Sequence, residues 1–257
     1  MATTTDQEAP KVTLYWLEKS RSQRIVWLLE ECKIPYEIKI FKRYEKRADP
    51  ELKKIHPLGK SPVVGIQPPG AAQPIILAES GLITEYFTEH FAPHLAPKRY
   101  AEGGKEGPGL ETESWFRYRY YMHYAEGSLM PPMVTNLIFN MLKGPSIPYL
   151  LRPITRGICD KVDTLYFKPE YATNFSFLES QIATSPDNGS FLCGKDLTAA
   201  DILMTFPLSA AKERGFMTKD RYPKLWGYIE MMEGLEGAKA AVKKIEEMTG
   251  ESYKLVD

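Results

Sequence analysis

The sequence lacks the features of a membrane-spanning, exported or nucleic-acid-binding protein. None of its apolar runs reaches the roughly 18 to 20 residues that span a bilayer, and its first ten residues have no basic start and no apolar stretch. Thirty-three basic residues balance thirty-three acidic ones, without a long block of one sign. Such a balance indicates neither nucleic acid nor anionic lipid as a partner. We therefore expect a soluble, cytoplasmic protein with no transmembrane segment, no nucleic-acid partner and a small ligand.

Cysteine is also scarce, and its three positions are far apart. Cys32, Cys159 and Cys193 form no CxxC pair and have no histidine at ligand spacing. Neither a disulfide framework nor a zinc site is supported by that pattern, so no metal is expected. The simplest interpretation is three buried structural thiols.

What the sequence does contain is a core-forming 43% of apolar residues, arranged with two different periods. In the first third, short β-branched and aromatic runs alternate with apolar residues at helical spacing. Strands are predicted at residues 12–16, 36–41, 63–66 and 75–77, the last two as a hairpin. Helical segments follow the first, second and fourth strands, so the predicted order is βαβαββα.

The second half shows helical patterns only. They cover residues 111–142, 149–182, 199–212, 222–233 and 238–248. In front of one of them, Thr198 and Asp201 have the spacing of a capping box. A stretch rich in proline, glycine and charge separates the two halves and is typical of a linker. The predicted division is an N-terminal segment 1–10, an α/β domain 11–94, a linker 95–109 and an all-helical domain 110–257.

Three turns of the α/β domain carry side chains suited to a ligand. In the first, Ser20 and Ser22 stand where a helix begins, so that backbone N–H groups and the helix dipole would stabilise a thiolate. Either serine would alternatively serve only as a helix cap. In the second, Ser61-Pro62 opens a strand. A cis bond there would expose backbone to a peptide ligand, whereas a trans proline would simply begin an edge strand.

The third turn contains Glu79 and Ser80, where a helix follows a strand directly. Backbone N–H groups and a serine hydroxyl would hold a ligand carboxylate while the glutamate pairs with an ammonium group. Capping of the helix would alternatively explain both residues.

Taken together, these turns resemble a known family. The segments YWLEKSRSQRIVWLLEE, KIHPLGKSPVV and ILAESGLITEYF look like the thioredoxin-like domain of cytosolic glutathione transferases, most closely the fungal Gtt-type enzymes. In the helical half, FLCGKDLTAADILM resembles the capping-box helix of the same family. The resemblance implies an α/β plus all-α protein: a thioredoxin-like βαβαββα domain followed by an all-helical C-terminal domain.

The resemblance also implies an activity. Family members conjugate the glutathione thiolate to small hydrophobic electrophiles, a detoxification and stress-response reaction, with glutathione as co-substrate and a homodimer as the assembly. Peroxidase activity and peripheral association with the endoplasmic reticulum stay open. A non-catalytic docking module with the same fold is the alternative function, and a thiol reductase would need a cysteine in the first turn.

Residue roles follow from the same resemblance. Ser20 stands where serine-using classes place the residue that activates the thiol. Other classes use cysteine at this position or a tyrosine near the end of the first strand, so Tyr15, Arg21 and Ser22 remain alternatives.

The remaining candidate residues would bind the two substrates. Lys60 is assigned to the glycyl carboxylate, the Ser61 backbone beside Pro62 to the cysteinyl backbone, and Glu79 with Ser80 to the γ-glutamyl end. By analogy of fold, the electrophile would lie in an apolar cleft between the domains. Its expected wall consists of the candidate pocket residues Leu17, Tyr118, Tyr121 and Tyr124.

Overall fold

A computed structural model describes residues 9–44, 47–145 and 147–256. The predicted N-terminal segment, residues 1–10, lies outside the described residues except for its last two. The chain divides into two compact units. We refer to residues 1–96 together with 233–257 as the sheet unit, and to residues 97–232 as the helical unit.

The sheet unit is built on four strands. They are β1 (Lys11–Leu17), β2 (Tyr36–Phe41), β3 (Val63–Gln67) and β4 (Ile75–Ala78). Their order in the sheet is β2-β1-β3-β4, with β1 parallel to β2 and β3 antiparallel to both of its neighbours. The central strand β1 is buried at every position after its first residue, which explains why it reads as a continuous apolar run.

Among the described residues, four α-helices belong to this unit. They are α1 (Gln23–Cys32), α2 (Leu52–Ile55), α3 (Ser80–Phe91) and, from the end of the chain, α10 (Glu236–Thr249). Helix α1 ends at Lys33, which adopts the left-handed conformation with φ of 53°, shortly before Pro35. The predicted βαβαββα order of the thioredoxin-like domain is therefore confirmed.

The helical unit contains the remaining helices. They are α4 (Glu113–Tyr124), α5 (Met130–Met141), α6 (Arg152–Val162), α7 (Lys168–Ala183), α8 (Ala199–Glu213) and α9 (Pro223–Gly234), whose last two residues are grouped with the sheet unit. Proline stands in the first turn of α5, α6 and α7. Helices α5 and α7 continue directly from the π-helical turns Ala125–Leu129 and Asp163–Phe167, so their prolines lie beside an irregular turn within a continuous helical segment. Across residues 9–44, 47–145 and 147–256, no helix has the length and apolarity needed to cross a bilayer.

The position of α10 differs from the predicted division, which placed residues 110–257 in one helical domain. Lys244 of α10 donates a 2.8 Å hydrogen bond to Glu30 of α1, and its Nζ lies 3.7 Å from the ring centre of Tyr36. Ala241 and Ile245 are buried. A helical period predicts that one face of α10 is buried, but it contains no information about which unit buries that face.

The predicted capping box at the start of α8 is present. The Thr198 hydroxyl accepts a hydrogen bond from the Asp201 N–H, and the Asp201 carboxylate accepts the Thr198 N–H in return. The carboxylate also accepts hydrogen bonds from the Thr198 hydroxyl, the Leu192 N–H and the Tyr228 hydroxyl. Complete burial raises the pKa of Asp201, and these four donated hydrogen bonds oppose that rise. Asp201 thus ties three segments of the helical unit together.

We expect Asp201→Ala to lower the free energy of unfolding by about 3 kcal/mol, because four buried donors lose their acceptor. Urea denaturation followed by circular dichroism measures this change. The matched control is Asp196→Ala at an exposed position, which should change stability by no more than about 0.5 kcal/mol. Equal effects of the two substitutions would contradict the structural role of Asp201.

Candidate functional site

The strand register brings the three predicted turns to one edge of the sheet. Tyr15 of β1 is paired with Val63 of β3, and Val63 is paired with Ala78 of β4. Because β3 is antiparallel to both neighbours, the end of β1, the start of β3 and the end of β4 coincide. The turns that carry Ser20, Ser61 and Glu79 therefore project from the same edge.

The two serines of the first turn differ in how they meet the start of α1. Ser22, the residue before the helix, makes no capping hydrogen bond with its side chain. Ser20 is 9% exposed; its hydroxyl donates a 2.7 Å hydrogen bond to the Leu17 carbonyl and accepts one of 3.2 Å from the Ser22 N–H. The capping interpretation is therefore wrong for Ser22, whereas the hydrogen bond from the Ser22 N–H to the Ser20 hydroxyl is of the kind that a capping serine accepts.

A network of serine hydroxyls connects the first turn to the second. The Ser22 hydroxyl is hydrogen-bonded to both Ser20, at 2.9 Å, and Ser61. Ser61 donates to the Tyr15 carbonyl at 3.1 Å, and Ser22 also accepts the Leu17 N–H at 3.4 Å. Ser20 and Ser61 each donate their hydroxyl proton to a strand carbonyl. The hydrogen bonds between the serines therefore depend on the Ser22 proton, which Ser22 can donate to Ser20 or to Ser61.

Two of the alternative thiol-activating residues, Ser22 and Tyr15, are buried inside the sheet unit. Ser22 has no exposed surface. The Tyr15 ring lies in an apolar cluster with Leu17, Leu52 and Val63, away from the first turn. The same cluster corrects the prediction for Leu17, which is 3% exposed and packs in the core rather than lining a pocket. At 9% exposure, Ser20 is thus the less buried of the two serines of the first turn.

The second turn opens β3. The Ser61-Pro62 peptide bond is cis, and both residues are buried. The alternative of a trans proline beginning an edge strand is wrong on both counts, because β3 lies between β1 and β4. Lys60, directly before this bond, is exposed.

The third turn contains an unusual backbone conformation. Glu79 has φ of 70° and ψ of 118°, a combination that non-glycine residues avoid, and its side chain is exposed. Holding a residue in such a region costs about 1–3 kcal/mol, and residues of this kind cluster at ligand-binding sites. Glu79 makes no capping hydrogen bond with its side chain, so capping does not explain why a glutamate stands there.

Ser80 is held by a residue that sequence reasoning missed. Arg24 of α1 donates from Nη2 to the Ser80 hydroxyl oxygen at 2.6 Å, and both residues are 3% exposed. The Thr84 hydroxyl donates to the Ser80 carbonyl at 2.7 Å. Because the Ser80 oxygen accepts from Arg24, its own proton is available to a ligand. The sequence did contain a signal for this role: Arg24 is a charged residue on the apolar face of α1, four positions before Leu28.

The predicted aromatic wall lies inside the helical unit. Tyr118, Tyr121 and Tyr124 are 5%, 0% and 6% exposed. The Tyr121 hydroxyl donates to Gln181 at 3.4 Å, and the Tyr124 hydroxyl donates to Asn174. The structure corrects the expectation that Tyr121 and Tyr124 contact substrate, because a helix face that packs on α7 has the same apolar spacing as one that lines a pocket.

The cysteines are buried and unpaired, as the sequence predicts. Burial, with a smaller effect of Glu31, raises the pKa of the Cys32 thiol to about 12. A thiol with that pKa is a poor nucleophile, which argues against thiol reductase chemistry at Cys32. Among the described residues, no three or more His, Cys, Asp or Glu side chains are grouped to hold a metal.

Comparisons with known proteins agree on one family. The profile of the glutathione S-transferase N-terminal domain matches residues 10–89, and that of the C-terminal domain matches residues 148–236. Glutathione S-transferase 1 of Saccharomyces cerevisiae is 36% identical over 236 residues, covering 91% of this chain and 95% of that protein. Glutathione S-transferase 3 of Schizosaccharomyces pombe is 30% identical over 240 residues, covering 93% and 89%. Among solved structures, a glutathione S-transferase of Actinobacillus pleuropneumoniae is similar with a TM-score of 0.65, 26% identity and 95% coverage of both chains.

The serine network leads to a prediction about stability. We expect Ser22→Ala to lower the free energy of unfolding by about 1–2 kcal/mol, because the buried Leu17 N–H loses its acceptor and Ser61 loses its partner. Urea denaturation measures the change. Ser176→Ala, on an exposed position of α7, is the matched control and should leave stability within about 0.5 kcal/mol. An indistinguishable pair of variants would mean that the network contributes nothing.

Proposed function

The chain belongs to the glutathione S-transferase family, and we propose that it conjugates the glutathione thiolate to small hydrophobic electrophiles at the sheet edge where the three turns meet. The main evidence for this site is the strand register, which places Tyr15, Val63 and Ala78 side by side on neighbouring strands. The relatives named above are transferases, and none of these comparisons favours the non-catalytic docking function.

The spacing of the turns suits a tripeptide. Neighbouring strands lie about 4.8 Å apart, so β1 and β4, on either side of β3, are separated by about 10 Å. An extended chain advances about 3.3–3.6 Å per residue, so three residues also cover about 10 Å. A peptide with its γ-glutamyl end at Glu79 and its glycyl end at Lys60 would lie across these strand ends, with its cysteinyl side chain directed at Ser20.

The γ-glutamyl end of glutathione carries both an ammonium group and a carboxylate. We assign the ammonium group to the exposed carboxylate of Glu79 and the carboxylate to the Ser80 hydroxyl. The Arg24 guanidinium behind Ser80 supports this assignment, because it occupies the serine oxygen and adds a buried positive charge nearby. The unfavourable backbone of Glu79 would serve to present its side chain to the ligand.

The other end of the tripeptide is assigned to the second turn. The Ser61 backbone beside Pro62 would pair with the cysteinyl backbone, since the Ser61 side chain is already engaged with Ser22 and Tyr15. Lys60 is exposed and adjacent, so its ammonium group would pair with the glycyl carboxylate.

Ser20 would stabilise the thiolate without ionising. Its hydroxyl now donates to the Leu17 carbonyl, and rotation about the side-chain bond would redirect that hydrogen bond to the ligand sulfur. The exchange replaces a neutral hydrogen bond by a charge-assisted one, next to the positive end of the α1 dipole. Lowering a thiol pKa from about 8.5 by two units takes about 2.7 kcal/mol, which these two contributions can supply together.

The assembly and the location belong to the same proposal. Family membership favours a homodimer in the cytoplasm, and an electrophile that is small and apolar. Peroxidase activity and peripheral association with the endoplasmic reticulum stay predictions from the sequence.

Replacing Ser20 by alanine tests the catalytic assignment. We expect kcat with a chlorinated nitroarene to fall about 10- to 100-fold while the KM for glutathione changes little, because the thiolate loses one charge-assisted hydrogen bond of about 1.5–3 kcal/mol. The pKa of enzyme-bound glutathione, followed by thiolate absorbance, should rise by one to two units. Ser176→Ala is the control. An unchanged thiol pKa in Ser20→Ala would reject Ser20 and favour Arg21.

Replacing Glu79 by glutamine tests the ammonium assignment. The KM for glutathione should increase about 10-fold with kcat nearly unchanged, because a charged partner becomes neutral without a change of shape. For the glutathione analogue that lacks the α-amino group, wild type and Glu79→Gln should have the same KM. Glu89→Gln, an exposed glutamate of α3, is the matched control. An equal loss with both thiols would show that Glu79 does not contact the ammonium group.

A further inference from the structure

The first turn, which carries Ser20, is held from outside by the segment that follows β2. The Glu18 N–H donates to the Phe41 carbonyl at 3.1 Å, so the parallel pairing of β1 with β2 continues one residue beyond β1. Arg43 then contacts the turn at two points. Its backbone N–H donates to Glu18 Oε1 at 2.6 Å, and its Nη2 donates to the Lys19 carbonyl at 2.9 Å. The turn is therefore bound to the end of β2 through both the backbone and the side chain of Arg43.

The backbone of this turn is in a conformation that needs such support. Lys19 has φ of 47°, in the left-handed region that glycine and asparagine adopt far more readily than lysine. A residue of this kind stays in that region only when its surroundings determine the conformation. The Lys19 carbonyl belongs to the peptide unit that leads into Ser20. By holding that carbonyl, Arg43 fixes the plane of this peptide unit.

The orientation of the same peptide unit decides where the Ser20 hydroxyl lies. Ser20 donates to the Leu17 carbonyl at 2.7 Å, and its own carbonyl accepts the Gln23 N–H at 3.4 Å. Leu17 precedes the left-handed residue and Ser20 follows it, so their contact exists only while Lys19 reverses the chain direction. A relaxed turn would move the hydroxyl away from the start of α1 and from the thiol that we assign to it.

The chemistry of arginine suits this role. Its guanidinium is planar and carries its N–H donors in a fixed geometry, so a hydrogen bond from Nη2 restrains the direction of the carbonyl as well as its distance. The backbone hydrogen bond to Glu18 sets the point from which the side chain starts. Arg43 is half-buried at this position.

We propose that Arg43 is a positioning residue for Ser20. It holds the Lys19 carbonyl, and thereby the left-handed turn that directs the Ser20 hydroxyl at the glutathione sulfur. The inference rests on the proposed role of Ser20 in stabilising the thiolate. Arg43 acts on the reaction through the turn and not by contact with either substrate.

Amide hydrogen exchange in the full-length protein tests this support without reference to catalysis. Arg43→Met keeps an unbranched side chain but removes the donor. The Ser22 and Gln23 N–H groups, which donate to Ser20, should exchange about 10-fold faster in this variant, while amides of α8 keep their wild-type rates. Arg156→Met, at an exposed arginine of α6, is the matched control. Unchanged exchange of both amides in Arg43→Met would overturn the proposal.

The thiol pKa of bound glutathione tests the connection to Ser20. We expect Arg43→Met to raise this pKa by about one unit and to lower kcat about 10-fold at neutral pH, with little change in the KM for glutathione. In a Ser20→Ala background the same substitution should cause no further rise, because the hydroxyl that Arg43 positions is gone. An equal rise in both backgrounds would mean that Arg43 acts on the thiolate only through its charge, and would overturn the positioning role.

Arg43→Lys separates the charge from the geometry, because lysine keeps the charge without the planar group. If the turn controls the thiol, slow exchange and a low thiol pKa should be restored together or lost together. A low pKa with fast exchange would overturn the proposal. An unchanged thiol pKa in Ser20→Ala alone would instead reject the catalytic assignment of Ser20, and with it any effect of Arg43 on the thiol. Hydrogen exchange would still show in that case whether Arg43 holds the turn.

Discussion

The antiparallel pairing of β3 between β1 and β4 is the constraint on which the candidate site depends. Each pairing places the end of one strand beside the start of another, so turns that are about 20 to 60 residues apart in sequence meet at one edge. A slip of one residue in β3 would turn its side chains to the opposite face and move Ser61 away from Ser22. Because Val63, Val64 and Ile66 are buried, the hydrophobic pattern resists such a slip.

Buried polar groups hold the turns in place once the strands have aligned them. The hydroxyls of Ser20, Ser22 and Ser61 are all engaged with each other or with strand backbone, so the first two turns behave as one structure. Arg24 extends this connection through α1 to Ser80 at the third turn. Burying a guanidinium and three hydroxyls is unfavourable unless each finds partners, and here the partners are the groups that flank the site. The same interactions that stabilise the unit therefore also orient the side chains that we assign to glutathione.

Sequence reasoning succeeded where a local period was sufficient. Strands such as Tyr36–Phe41 and helices such as Gln23–Cys32 follow from alternation, helical spacing and punctuation by proline, and the capping box at Thr198 follows from two residues. Sequence reasoning failed where the answer depended on which other part of the protein an apolar surface packs against. Leu17 and Tyr121 were predicted to line a pocket, but both are core residues, because an apolar side chain has the same pattern in either environment.

The sequence by itself determined the secondary structure, the family and the identity of the turn residues, since all three are encoded in short contiguous segments. Tertiary structure alone decided that α10 packs on α1, that Arg24 supports Ser80, and that the buried Trp16 indole N–H has no acceptor among the described residues. Each of these depends on residues more than 50 positions apart or on a donor left without a partner. Contacts between residues so far apart in sequence form only when the whole chain is packed. No local sequence pattern specifies which distant residue will fill the space beside a given side chain.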